Sequence, residues 1–252
     1  KMLDMHEIRL TYEADLPARS GLGTSSSFAV GMLNAFYALK GKYVDKRRLA
    51  DEAIYLERVL CRESGGVQDQ IATSFGGFNK ISLGADGYTL SPIIMSPERK
   101  GMLQQNLMLF FTGFSRLSSD IQVEAEKNLK SKETQLLEIL SLVEDAERVL
   151  TSKTELGEFG RLLDYTWRLK RGITNKVSTD AIDTVYNQAM EAGAKGGKLL
   201  GAGGGGFLLF YVEQDKQIKV REALDKLLYV PFEFETAGTQ VIHYTPENFE
   251  PR

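Results

Sequence analysis

Three groups of residues in this sequence have the types and spacing that chemistry requires. The first is LPARSGLGTSSSFAVG, residues 16–31. Here an alternating segment runs into a glycine-containing loop, and the loop opens a helical pattern. Gly21 and Gly23 permit backbone angles that other residues avoid and let the main chain approach a ligand closely. The helix start behind them offers unpaired N–H groups and the positive end of its dipole to an anion. Thr24, Ser25, Ser26 and Ser27 add hydroxyls for phosphate oxygens or a Mg²⁺ ion. No lysine follows the last glycine, so this is not the Walker loop. An N-capped helix after a tight turn fits the same residues.

The second group is KLLGAGGGGFLLF, residues 198–210, in which Gly201 and Gly203 to Gly206 stand directly before a strand pattern. Linkers are rich in glycine and serine with polar flanks. This run is flanked by Leu199, Leu200 and Phe207, which points instead to a close approach of another backbone or a ligand. The third group is a pair of acids. Glu57 sits at the edge of a helical apolar stripe, and Asp69 follows twelve residues later in SGGVQDQ. Two carboxylates beside a phosphate loop suit Mg²⁺-dependent phosphoryl transfer, one holding metal and one facing the acceptor hydroxyl. A solvated helix glutamate and a turn aspartate are the plain alternatives.

The elements that must position these groups read as mixed α and β. Residues 7–13 (EIRLTYE) alternate like a strand, and Phe28, Met32, Phe36 and Leu39 recur at helical spacing before Gly41. Asp45 caps a second helix with the stripe Leu49, Ala53, Leu56 and Leu60. A loop covers residues 62–70, and a strand follows around 78–83. Residues 91–105 carry prolines and charges and are read as the domain boundary. A buried strand (LMLFFT, 107–112) precedes helices marked by Leu136, Leu140, Val143 and Leu150, then by Leu156, Phe159, Leu163 and Trp167. A helix over 180–191, a strand over 206–212, a helix near Val220 and a strand over 239–244 complete the pattern.

Composition sets the outer bounds. The 252 residues are 42% hydrophobic and 26% charged, as in globular proteins, with a net charge of -3. That balance gives no sign of a nucleic-acid or membrane partner. Cys61 is the one cysteine, so no intrachain disulfide exists, which favours a reducing compartment, the cytoplasm. His6 and His243 are isolated in strand patterns and read as structural, Cys61 as a small buried residue, and Trp167 as core. Lys170, Arg171 and Lys176 in KRGITNK suit either a ligand phosphate or a helix end answering its dipole. Arg19 and Arg116 could pair with a phosphate or with a neighbouring acid, and Lys198 is read as a surface lysine.

PARSGLGTSSS, SGGVQDQIATSFGG and KLLGAGGGGF occur in the order and at the distances of the GHMP small-molecule kinases, and the sequence resembles that family over nearly its whole length. PARSGLG with Arg19, the GVQDQ loop in place of SGxDN, GGFNKI, FTGFSRLSSD and KRGITNKVST resemble its sugar-1-kinase branch. The resemblance implies an α+β fold in two lobes. Residues 1–104 would form a nucleotide-binding lobe with a left-handed βαβ crossover, and 105–252 a ferredoxin-like lobe. The family's first motif would precede Lys1, which leaves the first lobe incomplete in this chain.

By the same resemblance, Pro17, Ala18, Arg19, Ser20, Gly21, Leu22, Gly23, Thr24, Ser25, Ser26 and Ser27 wrap the phosphates of ATP. Ser25 and Glu57 hold Mg²⁺. Asp69 is catalytic at the acceptor hydroxyl, although the loop holds one residue more than SGxD. Gly201, Gly203, Gly204, Gly205 and Gly206 shape the phosphate site. The implied acceptor is a sugar phosphate, D-glycero-D-manno-heptose 7-phosphate, taken at its anomeric hydroxyl. Other acceptors of the fucose, galactose or mevalonate type, or a non-catalytic ligand-binding regulator, share these motifs. A homodimer is compatible with them.

Overall fold

The computed structural model describes residues 3, 5, 8–16, 20–113, 128, 130–174 and 176–245. Two compact units emerge. One comprises residues 1–18, 23–78 and 235–252; the other comprises 19–22 and 79–234. Each unit draws on more than one stretch of chain.

In the first unit, helix α1 (Thr24–Leu39) starts behind Gly23, whose φ of 70° is left-handed and whose lack of a side chain leaves the helix start uncapped. Its buried stripe is Ala29, Val30, Leu33 and Tyr37. The stripe of Phe28, Met32, Phe36 and Leu39 expected from sequence is only half-buried or exposed, because the small residue Ala29 and the amphipathic Tyr37 mark the inner face instead. Helix α2 (Lys46–Tyr55) is capped by the Asp45 carboxylate, which accepts from the Arg48 N–H at 2.9 Å. Leu49 and Ala53 pack against Val30, Leu33 and Tyr37.

The helix then widens. The Cys61 N–H donates to the Leu56 carbonyl at 2.9 Å, a five-residue spacing that makes Leu56–Leu60 a π turn. The extra residue rotates the face beyond it, so Leu60 and Cys61 are exposed, while Glu57, four residues after Ala53, is buried. The expected apolar stripe therefore ends at Leu56, and Cys61 is exposed rather than buried.

Helix α3 (Gln68–Phe75) takes the last residues of the expected 62–70 loop. It stops at Gly76 with φ 64°, where a Cβ would lie 2.0 Å from the Gly238 nitrogen. The Lys46 amine donates to the carbonyls of Phe75 and Ala237, and the Thr239 N–H donates to Thr73 at 2.9 Å. The C-terminal segment is thereby stapled to this unit. Residues 8–13 and 239–244 alternate in sequence but form no strand, because no neighbouring strand pairs with their backbone among the described residues.

The second unit holds both sheets. β1 (Asn79–Gly84) and β2 (Gly87–Pro92) form an antiparallel hairpin. The stretch read as a boundary contains helix α4 (Pro97–Gln105), with Ser96 as its cap and Leu103 fully buried. Arg99 of α4 donates to the carbonyls of Val149, Leu150 and Thr154, closing the end of α5 (Glu133–Thr151). On α5 the residues buried are Leu142, Val149 and Leu150, while Leu140 and Val143 of the expected stripe are exposed.

Then come α6 (Gly157–Arg171), α7 (Asp180–Glu191), β4 (Gly196–Leu199), β5 (Phe207–Tyr211), α8 (Gln217–Ala223) and β6 (Leu228–Val230). With β3 (Leu107–Phe111) they form an antiparallel sheet of order β4-β5-β3-β6. That order, with helices between β3 and β4 and between β5 and β6, is the ferredoxin-like arrangement. Its core joins Met108, Phe110, Trp167, Ile182, Tyr186 and Phe210. α6 lies hard against β4, and a Cβ on Gly196 would stand 1.8 Å from the Gly160 carbonyl oxygen.

Candidate active site

In the first unit the site is built around one buried carboxylate. Glu57, 5% exposed, accepts from the Ser25 hydroxyl at 2.6 Å on one oxygen and from the Ser26 hydroxyl at 2.9 Å on the other. The Gln70 amide of α3 also donates to that second oxygen. Glu57 lies four residues after the buried Ala53, so its helix face turns it toward the start of α1 rather than toward solvent.

Asp69 lies in the first turn of α3, not in a free loop. A Cβ added to Gly23 would lie 3.2 Å from its Cβ and Cγ, so only glycine lets the phosphate-type loop and this acid close up. Burial, followed by the negative charge of Glu57, holds the Asp69 carboxyl above the ordinary aspartate range, and Arg58 opposes the shift. The Arg58 guanidinium is itself fixed by the carbonyls of Glu63, at 2.7 Å, and Gly66. The first turn of α1 carries no acid and no side-chain cap, which leaves its N–H groups to an incoming anion.

In the second unit, residues 20–22 meet the glycine run. Leu200 N–H donates to Phe207 at 2.8 Å, so the run is the loop between β4 and β5. Gly201, with φ 71°, would put a Cβ 2.7 Å from the Gly21 oxygen, and Gly206, with φ 106°, one 2.3 Å from the Ser20 oxygen. Gly203 presses on Val177 in the same way, and the Gly204 N–H donates to Val177 at 2.9 Å. Gly205 completes the run with φ 158°. Thr112, just past β3, accepts from the Gly206 N–H at 3.1 Å and donates back to its carbonyl at 3.0 Å.

Among the basic residues, Arg171 is committed to Asp183 at 2.5 Å, whereas Lys170 donates to the Gly201 carbonyl at 2.5 Å. Lys198 is partly buried rather than a surface lysine. Pro17, Ala18, Arg19, His6 and Arg116 lie outside the described residues.

Sequence reasoning missed Gln70 and Thr112. Gln70 carried no apolar-face signal, because its neighbours three and four residues on are Thr73 and Ser74. Thr112 carried none, since its role depends on the strand pairing of β3 with β5. Ser26, like Ser25, turns its hydroxyl to Glu57.

The model of the GHMP kinases N terminal domain matches residues 1–77, and that of the GHMP kinases C terminal matches residues 143–230. The chain belongs to the GHMP kinases. The matched parts contain Ser25, Glu57 and Asp69 in the first and Lys170, Lys198 and the glycine run in the second. Among the GHMP kinases, a D-glycero-alpha-D-manno-heptose 7-phosphate kinase from Campylobacter jejuni is 32% identical over 220 residues, covering 84% of this chain and 63% of its own length. A galactokinase from Pyrococcus furiosus is 27% identical, over 83% of this chain and 66% of its own.

The solved D-glycero-D-manno-heptose 1-phosphate kinase from Bacteroides thetaiotaomicron superposes with a TM-score of 0.66 at 30% identity, covering 89% of this chain and 64% of that one. The mevalonate kinase of Methanococcus jannaschii, at TM-score 0.69 and 19% identity, shares the fold. This chain thus spans a little under two thirds of the length of these GHMP kinases. No helix among the described residues is long and apolar enough to cross a membrane.

Proposed function

We propose that this GHMP kinase transfers the γ-phosphoryl group of ATP to the anomeric hydroxyl of a sugar phosphate, D-glycero-D-manno-heptose 7-phosphate. The observation that carries the kinase reading is the convergence of Ser25 and Ser26 on Glu57, with Asp69 packed on Gly23, at an uncapped helix start. The acceptor is supported by the two heptose phosphate kinases among the similar proteins. In this reading residues 1–104 are the nucleotide-binding domain, with both acids, and 105–252 the C-terminal domain, with the glycine run.

A hydroxyl and a carboxylate oxygen 2.6 Å apart form a hard-oxygen donor pair, and two protein ligands beside phosphate oxygens suit Mg²⁺. Ser25 and Glu57 would hold that ion. When bound it offsets negative charge on the phosphate oxygens. The chain's own part is positioning. The α1 N–H groups, with residues 20–23 before them and Thr24 to Ser27 in the first turn, cradle the triphosphate, and Gly201 with Gly203 to Gly206 fixes the backbone at residues 20 and 21. Asp69 aligns the acceptor hydroxyl for in-line attack and receives its proton.

The test is ATP turnover by the full-length protein across sugars and sugar phosphates. Heptose 7-phosphate is expected to exceed free heptose by more than about tenfold in kcat/KM, the factor that ~1.4 kcal/mol gives. Equal turnover of fucose or galactose would move the acceptor, and no turnover with any acceptor would favour a ligand-binding regulator. Ser25→Ala is expected to raise the Mg²⁺ concentration for half-maximal rate, because one oxygen ligand is lost. An unchanged Mg²⁺ titration would remove Ser25 from the metal.

A further inference from the structure

Around α6 and β4 the cations of the second unit are nearly all matched to acids. Arg168 meets Asp164 at 2.6 Å, Arg171 meets Asp183 at 2.5 Å, and Lys195 meets Glu213 at 2.5 Å. Lys170 and Lys198 are different: among the described residues neither has a carboxylate partner. The close fit of Gly160 on Gly196 lays α6 along β4. Lys198 shares a strand face with Gly196 by the two-residue alternation of β structure, so it stands on the face that α6 covers. Lys170 sits in the last turn of α6. Both lysines therefore arrive where the helix end meets the glycine run.

Their surroundings are costly for cations. Burial pushes the Lys198 amine down, and burial together with the charge of Lys198 pushes Lys170 down to about 8. Two half-sunk like charges with no acid between them weaken a fold unless something else balances them. The Lys170 amine spends one N–H on the Gly201 carbonyl, whose residue in turn abuts Gly21, and keeps two N–H groups free. Lys198 makes no hydrogen bond through its amine among the described residues.

We propose that Lys170 and Lys198 together bind one phosphate group of a ligand beside Gly201. Two ammonium groups match the charge of a phosphate dianion, whereas a carboxylate would leave one of them unbalanced. The three phosphate oxygens accept from donors on different sides. That phosphate belongs either to the acceptor or to the nucleotide, and only this assignment of its source rests on the kinase reading.

The direct test is titration of inorganic phosphate into the full-length protein, followed by calorimetry and by the fluorescence of Trp167, the sole tryptophan, one turn before Lys170. Lys170→Met and Lys198→Met are each expected to weaken phosphate about tenfold, roughly one charge-assisted contact. Lys198→Arg should stay within a few-fold of wild type, and no variant should melt lower than wild type without ligand. Unchanged phosphate affinity in the folded double methionine variant would overturn the site.

A second measurement needs no variant. Phosphate should slow acetylation of Lys170 and Lys198 in the wild type, and equal labelling with and without phosphate would likewise overturn it. Steady-state kinetics then separates the sources. A loss confined to phosphorylated acceptors assigns the acceptor's phosphate, a raised ATP KM with every acceptor assigns the nucleotide's, and neither effect rejects the proposal. If the protein turned over no acceptor at all, the kinase reading would fall while the phosphate titration still decided the site.

Discussion

Replacing Asp69 with asparagine is expected to lower kcat by about 10²–10⁴-fold, the usual worth of a positioned acid or base, while ATP affinity stays within a few-fold. The same variant should melt at a higher temperature. Burial and the Glu57 charge raise the folded-state pKa of Asp69 above its unfolded value of about 3.9. A group shifted that way contributes stability below its unfolded pKa and loses it as pH rises through the folded one. Near neutrality the ionised Asp69 therefore strains the fold, and asparagine relieves it. The wild-type rate should fall with acid at a pH above the ordinary aspartate range, since the proton acceptor must be ionised. Activity within a few-fold of wild type, or a lower melting temperature, would take Asp69 out of the acceptor position.

Gly206→Ala is the second large effect expected. Its Cβ would sit 2.3 Å from the Ser20 oxygen, at a φ of 106° that side chains rarely adopt. Backbone strain of about 1–2 kcal/mol and overpacking of roughly 1–3 kcal/mol add in the same direction. The neighbour is main chain and cannot swing aside, so residues 20 and 21 must shift. The denaturation midpoint should fall and ATP affinity with it. Gly31→Ala is the control: it lies inside α1 with open space around it, and should stabilise by about 0.5–1 kcal/mol. Equal midpoints for the two variants would show that the glycine run does not support the phosphate loop.

The glycine run and the loop were legible because their signals are local. Glycines flanked by apolar residues admit few explanations, and a glycine before a serine-rich helix start admits few more. The element order of the second unit was legible for a similar reason: LMLFFT and GFLLFY are continuous apolar strands, and Asp180–Glu191 has a clear cap and stop. Glu57 was harder. A lone helix glutamate is usually solvated, and this one is buried because tertiary packing brings the Ser25 and Ser26 hydroxyls and the Gln70 amide to it. Leu60 and Cys61 fall off the expected stripe because the π turn adds a residue, where helical periodicity assumes 3.6 residues per turn throughout. Residues 8–13 and 239–244 have strand-like alternation, but a strand also needs a partner, which alternation does not encode. The pairing of Lys170 with Lys198 was hidden because it joins a helix end to a strand by tertiary packing.

The staple at Gly76 and Gly238 bears on the order in which the protein takes shape during synthesis. The Asn34 amide bonds Thr239 across 205 residues, and the Lys46 amine reaches Ala237 across 191. Closing a loop of that size costs about 5 kcal/mol of chain entropy, so these bonds form only when much else is already fixed. The ribosome delivers the whole ferredoxin-like unit before it delivers Gly238. That unit can therefore fold while α1 to α3 still wait for their last segment. Ser25, Glu57 and Asp69 all belong to the unit that this segment completes, so the acids gain their final setting only after Gly238 and Thr239 have been made.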